Sequence, residues 1–232
     1  MIKLRRANIK DLDNYLALQK KVWSDNAVDK ETAIARFENC PDGILIAEDR
    51  GVIIGTTTLI MLDSYDFDNP KSWYDTTDYG RCSTHSSNGK VGFGVDLSGT
   101  FAAADALLFG CMQIIISAGL EFAVMGGRMP GYSRYLRKYP GTTAETYLFT
   151  RRSNGDFRDP EVRMYSKIPG LNPMKTIPDY FDDPDSCDYG VLLRWKNPFY
   201  NIPGKRKIIS RMPLAAYQMS RIWQERRAFW LE

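Results

Sequence analysis

The stretch that decides the fold is Val91–Gly127, VGFGVDLSGTFAAADALLFGCMQIIISAGLEFAVMGG. It reads as a strand over Val91–Leu97, a tight polar turn at Ser98-Gly99-Thr100, an apolar helix over Phe101–Ala118, a stop at Gly119 and a second strand over Leu120–Met125. Strand, helix and strand in that order make a right-handed crossover with the two strands parallel. The turn sets the first N–H groups of the helix at the carboxyl end of a strand, a position suited to an anion such as a phosphate. A functional site is expected there first.

Working outward toward the N-terminus, VIIGTTTLIM (52–61) and ILIAED (44–49) are two apolar runs joined by Arg50-Gly51, which predicts a hairpin. Gly55 inside the second run marks a bulge or a close backbone approach. Further out lie a short helix near Lys30–Glu38, a helix from about Asn8 or Asp11 to Trp23, and a strand over 2–7. Between hairpin and crossover, residues 62–90 are polar and without period but carry Tyr65, Phe67, Trp73, Tyr74 and Tyr79. That many aromatics argues against disorder, so the segment reads as a lid or side wall.

Toward the C-terminus, 128–159 is a second irregular region with a short helix within 143–150. Pro160 opens a helix to about Lys167. Strands follow at 175–177 and 189–195, joined by the acidic turn PDYFDDPDSCD. Residues 199–232 form a basic extension with a helix over about 214–231, read as docking on the parent domain or on a second copy of the chain.

The 232 residues are 44% apolar and 25% charged, ordinary for a globular domain with room for a sizeable core. The net charge is only +3, although eight Lys/Arg face two Glu from Lys196 onward; a solvated charged face outweighs an anionic partner as the reading. Four scattered cysteines, with no CxxC and no ligand-like spacing, predict a reduced cytoplasmic chain and no metal site. The N-terminus lacks the apolar core of a signal peptide. Phe101–Leu120 approaches the length of a membrane span, but Asp105, Gln113 and the flanking strands predict a buried core helix instead. There is no Walker-type P-loop, no G-x-S-x-G, no HExxH and no DNA-binding signature.

The order of elements, together with IKLRRANIKDLDNYLAL (2–18), ILIAEDRGVIIGTTTL (44–59) and RMYSKIPGL (163–171), resembles the GNAT superfamily of acyl-CoA N-acyltransferases. GGRMPGY (126–132), RDPEVRMY (158–165), IPDYFDDPDSCDYGVLLRWKNP (177–198) and FGVD (93–96) are similar to the GNAT-type domains found with nitrilase-type carbon–nitrogen hydrolases. The resemblance covers about residues 1–198, with insertions at 62–90 and 128–159. It implies an α+β fold: a mixed central sheet with a parallel strand–helix–strand core flanked by helices. It implies acyl transfer, most often acetyl, from acetyl-CoA or another acyl-CoA as co-substrate to the amine of a small molecule. A carrier-protein-bound donor, a non-catalytic binding domain descended from the fold, and a homodimer stay open. The family's R/Q-x-x-G-x-G/A loop is replaced here by LSGTFAAAD, with Gly99 at the Arg/Gln position and Ala102 and Ala104 at the later two.

Acyl transfer from a thioester needs a neutral amine, a polarised carbonyl and a proton for the leaving thiolate. The resemblance puts Tyr165 in the role of that proton donor. Asp96, on the strand lining the cleft, and Glu48, at the end of the hairpin's first strand, are the carboxylates placed to take the amine proton. Phe93, Gly94, Val95 and Leu97 are the implied pantetheine contacts, and Ser98, Gly99, Thr100, Ala102 and Ala104 the pyrophosphate turn. Arg128, Tyr132 and Arg134 are candidates to recognise a carboxylate or phosphate on the acceptor, or else they fasten an insertion to the body. His85, the single histidine, reads as an exposed loop residue.

Overall fold

A computed structural model describes residues 2–202; the expected helix at 214–231 lies outside them. Seven strands form one sheet in the order β1-β2-β3-β4-β5-β7-β6. They are β1 (Lys3–Arg6), β2 (Ile44–Asp49), β3 (Val52–Leu62), β4 (Val91–Gly99), β5 (Phe122–Arg128), β6 (Leu171–Ile177) and β7 (Gly190–Lys196). Only β4 and β5 run parallel; every other neighbouring pair is antiparallel. The chain therefore has a mixed α+β sheet with the expected parallel crossover at its centre.

The helices are α1 (Leu12–Trp23), α2 (Lys30–Asn39), α3 (Trp73–Thr77), α4 (Phe101–Ala118), α5 (Tyr132–Lys138), α6 (Ala144–Leu148) and α7 (Pro160–Ser166). Their starts follow from capping chemistry. Asp29, Thr100 and Asp159 each accept a backbone N–H from the first turn of α2, α4 and α7, satisfying donors the helix cannot. Pro160 occupies the first turn of α7, where a missing N–H costs nothing. Gly119 ends α4 in the left-handed conformation at φ 69°.

Side-chain alternation sorts the sheet into two faces. On β3, Thr56 meets Gln19 of α1, whereas a Cβ on Gly55 would touch Ala103 of α4 at 2.5 Å. So α1 and α2 cover one face and α4 the other. Helix α4 has the length and composition of a membrane span, and it lies against β1–β4. The strand before it runs two residues further than expected. Ser98 and Gly99 still pair with Thr56 and Gly55, so the turn contracts to Thr100 alone. Gly99 has φ 137°, and a side chain there would strike the Ile54 carbonyl at 2.4 Å, so both the backbone angle and the close approach call for glycine.

Two irregularities shape the centre. Thr58 pairs with Asp96 and Leu59 with Gly94, which leaves Val95 as a bulge in β4. Val95 and Asp96 consequently both point to the α1 face: Val95 joins the core there, and Asp96 reaches Gln19 and Arg36. Beyond Gly94–Met125, β4 and β5 part, while β5 continues along β7 to Arg128–Gly190.

Candidate active site

The parting strands open a cleft that encloses about 680 Å³ of empty space, part of it open to solvent. Its α1-face walls are Gln19, Trp23, Arg36, Trp73, Tyr180 and Phe181; Gly94–Leu97, Met125, Gly126 and Arg128 form the strand edges; Glu161 and Tyr165 of α7 close it from the other side. The segment 62–90 does act as a wall. Its short helix α3 brings in Trp73, whose Nε1 donates to the Val95 carbonyl at 2.8 Å. Trp73, Tyr74 and Phe181 form an aromatic cluster with ring centroids 5.3–5.5 Å apart.

Asp96 reaches the cleft already held by an ion pair. Its Oδ2 accepts Arg36 Nη1 at 2.7 Å and Gln19 Nε2 at 3.2 Å. Arg36 is fully buried and also donates to the Tyr15 hydroxyl at 2.6 Å and the Gly80 carbonyl at 2.8 Å. Burial opposes the Arg36 charge, but Tyr15 and Asp96 hold its pKa above the ordinary value. The Asp96 Oδ1 is buried without a partner. Glu48 lies away from the cleft and is bound by Arg5 at 2.6 Å, which also holds Asp11 at 2.7 Å.

The carboxylate that the sequence did not single out is Glu161. It sits half-buried in the cleft wall on the first turn of α7, and burial, only partly opposed by Arg128, pushes its carboxyl up to about 7. Tyr165, one helical turn on, is buried apart from its exposure to the cleft. Its hydroxyl has no hydrogen-bond partner among the described residues. Burial also holds its pKa well above the phenol value, so it stays protonated at neutral pH. Asp159 fixes both residues by capping α7 while its Oδ2 takes Gly131 N and the Tyr147 hydroxyl at 3.0 Å. The Gly126-Gly127 pair lets two tyrosines lie on β5. A Cβ on Gly126 would fall 1.9 Å from the Tyr180 hydroxyl, and one on Gly127 3.4 Å from the Tyr165 ring.

The other expected residues divide. Gly94, Val95 and Leu97 line the cleft, whereas Phe93 is in the core, stacked on Tyr65. Ser98 is buried, with its hydroxyl taken by Trp23 Nε1 at 2.7 Å, and Gly99 packs on Ile54. Thr100 caps α4. Ala102 and Ala104 border a groove between α4 and α7, with Arg163 and Lys167 on its far bank. Arg128 lines the cleft, but Asp183 holds it by two bonds of 2.8 Å. Tyr132 is buried and donates to the Thr142 carbonyl, and Arg134 is exposed outside the cleft. His85 accepts the Met61 N–H at 3.0 Å and fastens the 62–90 wall to β3. Among the described residues no group of three or more His, Cys, Asp or Glu is arranged to hold a metal.

No family model matches the chain. Over 188 residues, 78% of each chain, it is 27% identical to the Uncharacterized N-acetyltransferase YkwB of Bacillus subtilis. It is 26% identical to the Probable hydrolase YhcX of the same organism, spanning 95% of this chain but only 44% of that protein. Among solved structures it superposes on the loading GNATL domain of CurA from Lyngbya majuscula with a TM-score of 0.73, at 23% identity over 85% of this chain and 98% of that one. The GphF GNAT-like decarboxylase in complex with isobutyryl-CoA gives 0.66, at 20% identity over 84% and 99%. The strand order, the bulged β4, the opening beside it and these superpositions give the chain the GNAT fold.

Proposed function

We propose that the chain transfers an acyl group from a coenzyme A thioester to a small amine. The observation that carries this is the opening between β4 and β5, where the unpartnered Tyr165 hydroxyl and the Glu161 carboxyl meet a strand edge freed by the bulge. Beyond Gly94 the edge of β4 no longer pairs with β5, and the pantetheine arm lies along it, although Trp73 Nε1 and the Thr57 hydroxyl already take the Val95 and Asp96 carbonyls. The groove bordered by Ala102 and Ala104 runs between α4 and α7, the helix whose Glu161 and Tyr165 line the cleft, and there Arg163 and Lys167, set against Asp105, supply the positive charge a glycine-poor phosphate turn lacks.

Glu161, ionised above about pH 7, takes the proton from the attacking amine. Tyr165, protonated throughout that range, gives one to the departing thiolate. Both arginines in the cleft lining are paired, Arg36 with Asp96 and Arg128 with Asp183. Among the described residues no unpaired cation lines the cleft to hold a carboxylate, which favours an amine without a neighbouring acid group.

The same pairing weighs against a second reading, in which the site removes the carboxyl group of a carboxyacyl thioester. The likeness to a GNAT-like decarboxylase raises it; the chemistry of this lining does not support it. Calorimetric titration with acetyl-CoA and desulfo-CoA tests the proposal. Binding is expected, and Tyr165→Phe lowers turnover about 10²–10⁴-fold with CoA affinity nearly unchanged. Absence of binding to either ligand sinks it and leaves a carrier-bound donor or a non-catalytic domain. Release of carbon dioxide from a carboxyacyl-CoA without any amine reverses the order of the two readings.

A further inference from the structure

We propose that the donor's acyl chain is longer than acetyl and lies in an apolar pocket behind the strand opening, on the α4 face of the sheet. This deepens the acyl-CoA reading and rests on it. The pocket holds about 480 Å³ of empty space, its mouth included, and is walled by Leu59, Leu108, Cys111, Ile115, Met125 and Trp195.

Its position is the first argument. Gly94 and Met125 line both this pocket and the cleft, so the two meet where β4 and β5 part. Gly94 has no side chain to block the passage; a Cβ there would press on Met125 at 3.1 Å. Leu108 lines both the pocket and the groove between α4 and α7. A donor entering by that groove with its thioester at the opening therefore passes the pocket. An acceptor approaching over the α1 face does not.

Its chemistry is the second. Every polar group in the wall is already committed or neutral. The Thr57 hydroxyl donates to the Asp96 carbonyl at 2.6 Å, and Trp195 Nε1 donates to the Pro169 carbonyl at 3.1 Å, turning carbon to the pocket. Burial pushes the Cys111 thiol up to about 12, so it carries no charge. Such a lining takes an alkyl chain and rejects a hydroxyl or carboxylate, which would lose its water without a new partner.

The test is calorimetry on the full chain with acetyl-, butyryl-, 3-hydroxybutyryl- and hexanoyl-CoA. Affinity is expected to rise about fourfold for each buried methylene, with the hydroxylated chain weaker than butyryl. Cys111→Phe fills the pocket and should abolish the gain while leaving the acetyl-CoA affinity within about twofold. If that variant fails to fold, Ile115→Val widens the pocket and should move the preference to longer chains. Equal affinity across the series, or a loss in Cys111→Phe that is the same for acetyl and hexanoyl, overturns the pocket but not the transferase. Failure of every thioester and of desulfo-CoA to bind overturns both.

Discussion

Glu161 and Asp96 show how environment divides two carboxylates between roles. Asp96 is anchored by a guanidinium with no exposure, so its charge is part of the architecture. Removing one member of a buried pair strands the other, and Arg36→Met is expected to cost about 3–5 kcal/mol in urea unfolding. Glu161 has no such anchor. Its raised pKa means the folded chain holds a proton that the unfolded chain has released between about pH 4.5 and 7. The sign follows: the contribution of Glu161 to stability is present at pH 4 and lost as pH rises through about 7. Glu161→Gln should therefore unfold at the same urea concentration as the parent at pH 4 and at a higher one at pH 8. In turnover the direction reverses, because the ionised form is the base. The parent's kcat/KM should rise toward a plateau with a midpoint near 7, and the variant should lose that rise. Asp96 was legible in the sequence through its place on β4; its partner Arg36 lies sixty residues earlier and was not. In the sequence Glu161 is one unremarkable residue of the helix that Pro160 opens; what distinguishes it is its place beside Arg128 and Tyr165 in the cleft wall.

Among the elements, those with strong local signals were legible. The hairpin, α4 with its Thr100 cap and Gly119 stop, and α7 with Asp159-Pro160 all fall where alternation and capping place them. The short helix α5 was not, because Tyr132–Lys138 carries no capping side chain and, Leu136 apart, its apolar residues are tyrosines that stack on Tyr147 of α6. The GGR segment lies beyond the strand expected over Leu120–Met125, yet it continues β5, where the two missing side chains make room for aromatic rings. Gly126→Ala should thus act through Tyr180, whose hydroxyl would lie 1.9 Å from the new methyl group. A loss of about 1–3 kcal/mol in thermal or urea unfolding is expected, and Tyr180→Leu in the same chain should recover part of it.

For the molecule as a whole, the sheet separates two surroundings: aromatic walls and paired charges on the α1 face, and on the α4 face an apolar pocket adjoining a groove lined by Arg163, Lys167 and Asp105. A ligand that joins β4 to β5 across the opening binds only the folded chain. At about a hundred times its Kd, an acyl-CoA should add about 2.7 kcal/mol and raise the melting temperature by about 5–10 °C; an unchanged melting curve would count against the site. This division between faces was hidden in the sequence by the bulge at Val95. Counted as a regular strand from Val91, β4 would send Asp96 to the α4 face, among leucines and a thiol, with Arg36 left behind. Val95 behaves as a shift of reading frame written into the backbone. Substitutions before it obey one alternation of inside and outside, those after it the opposite one. The strand thus carries two vocabularies, one for the core and one for the site.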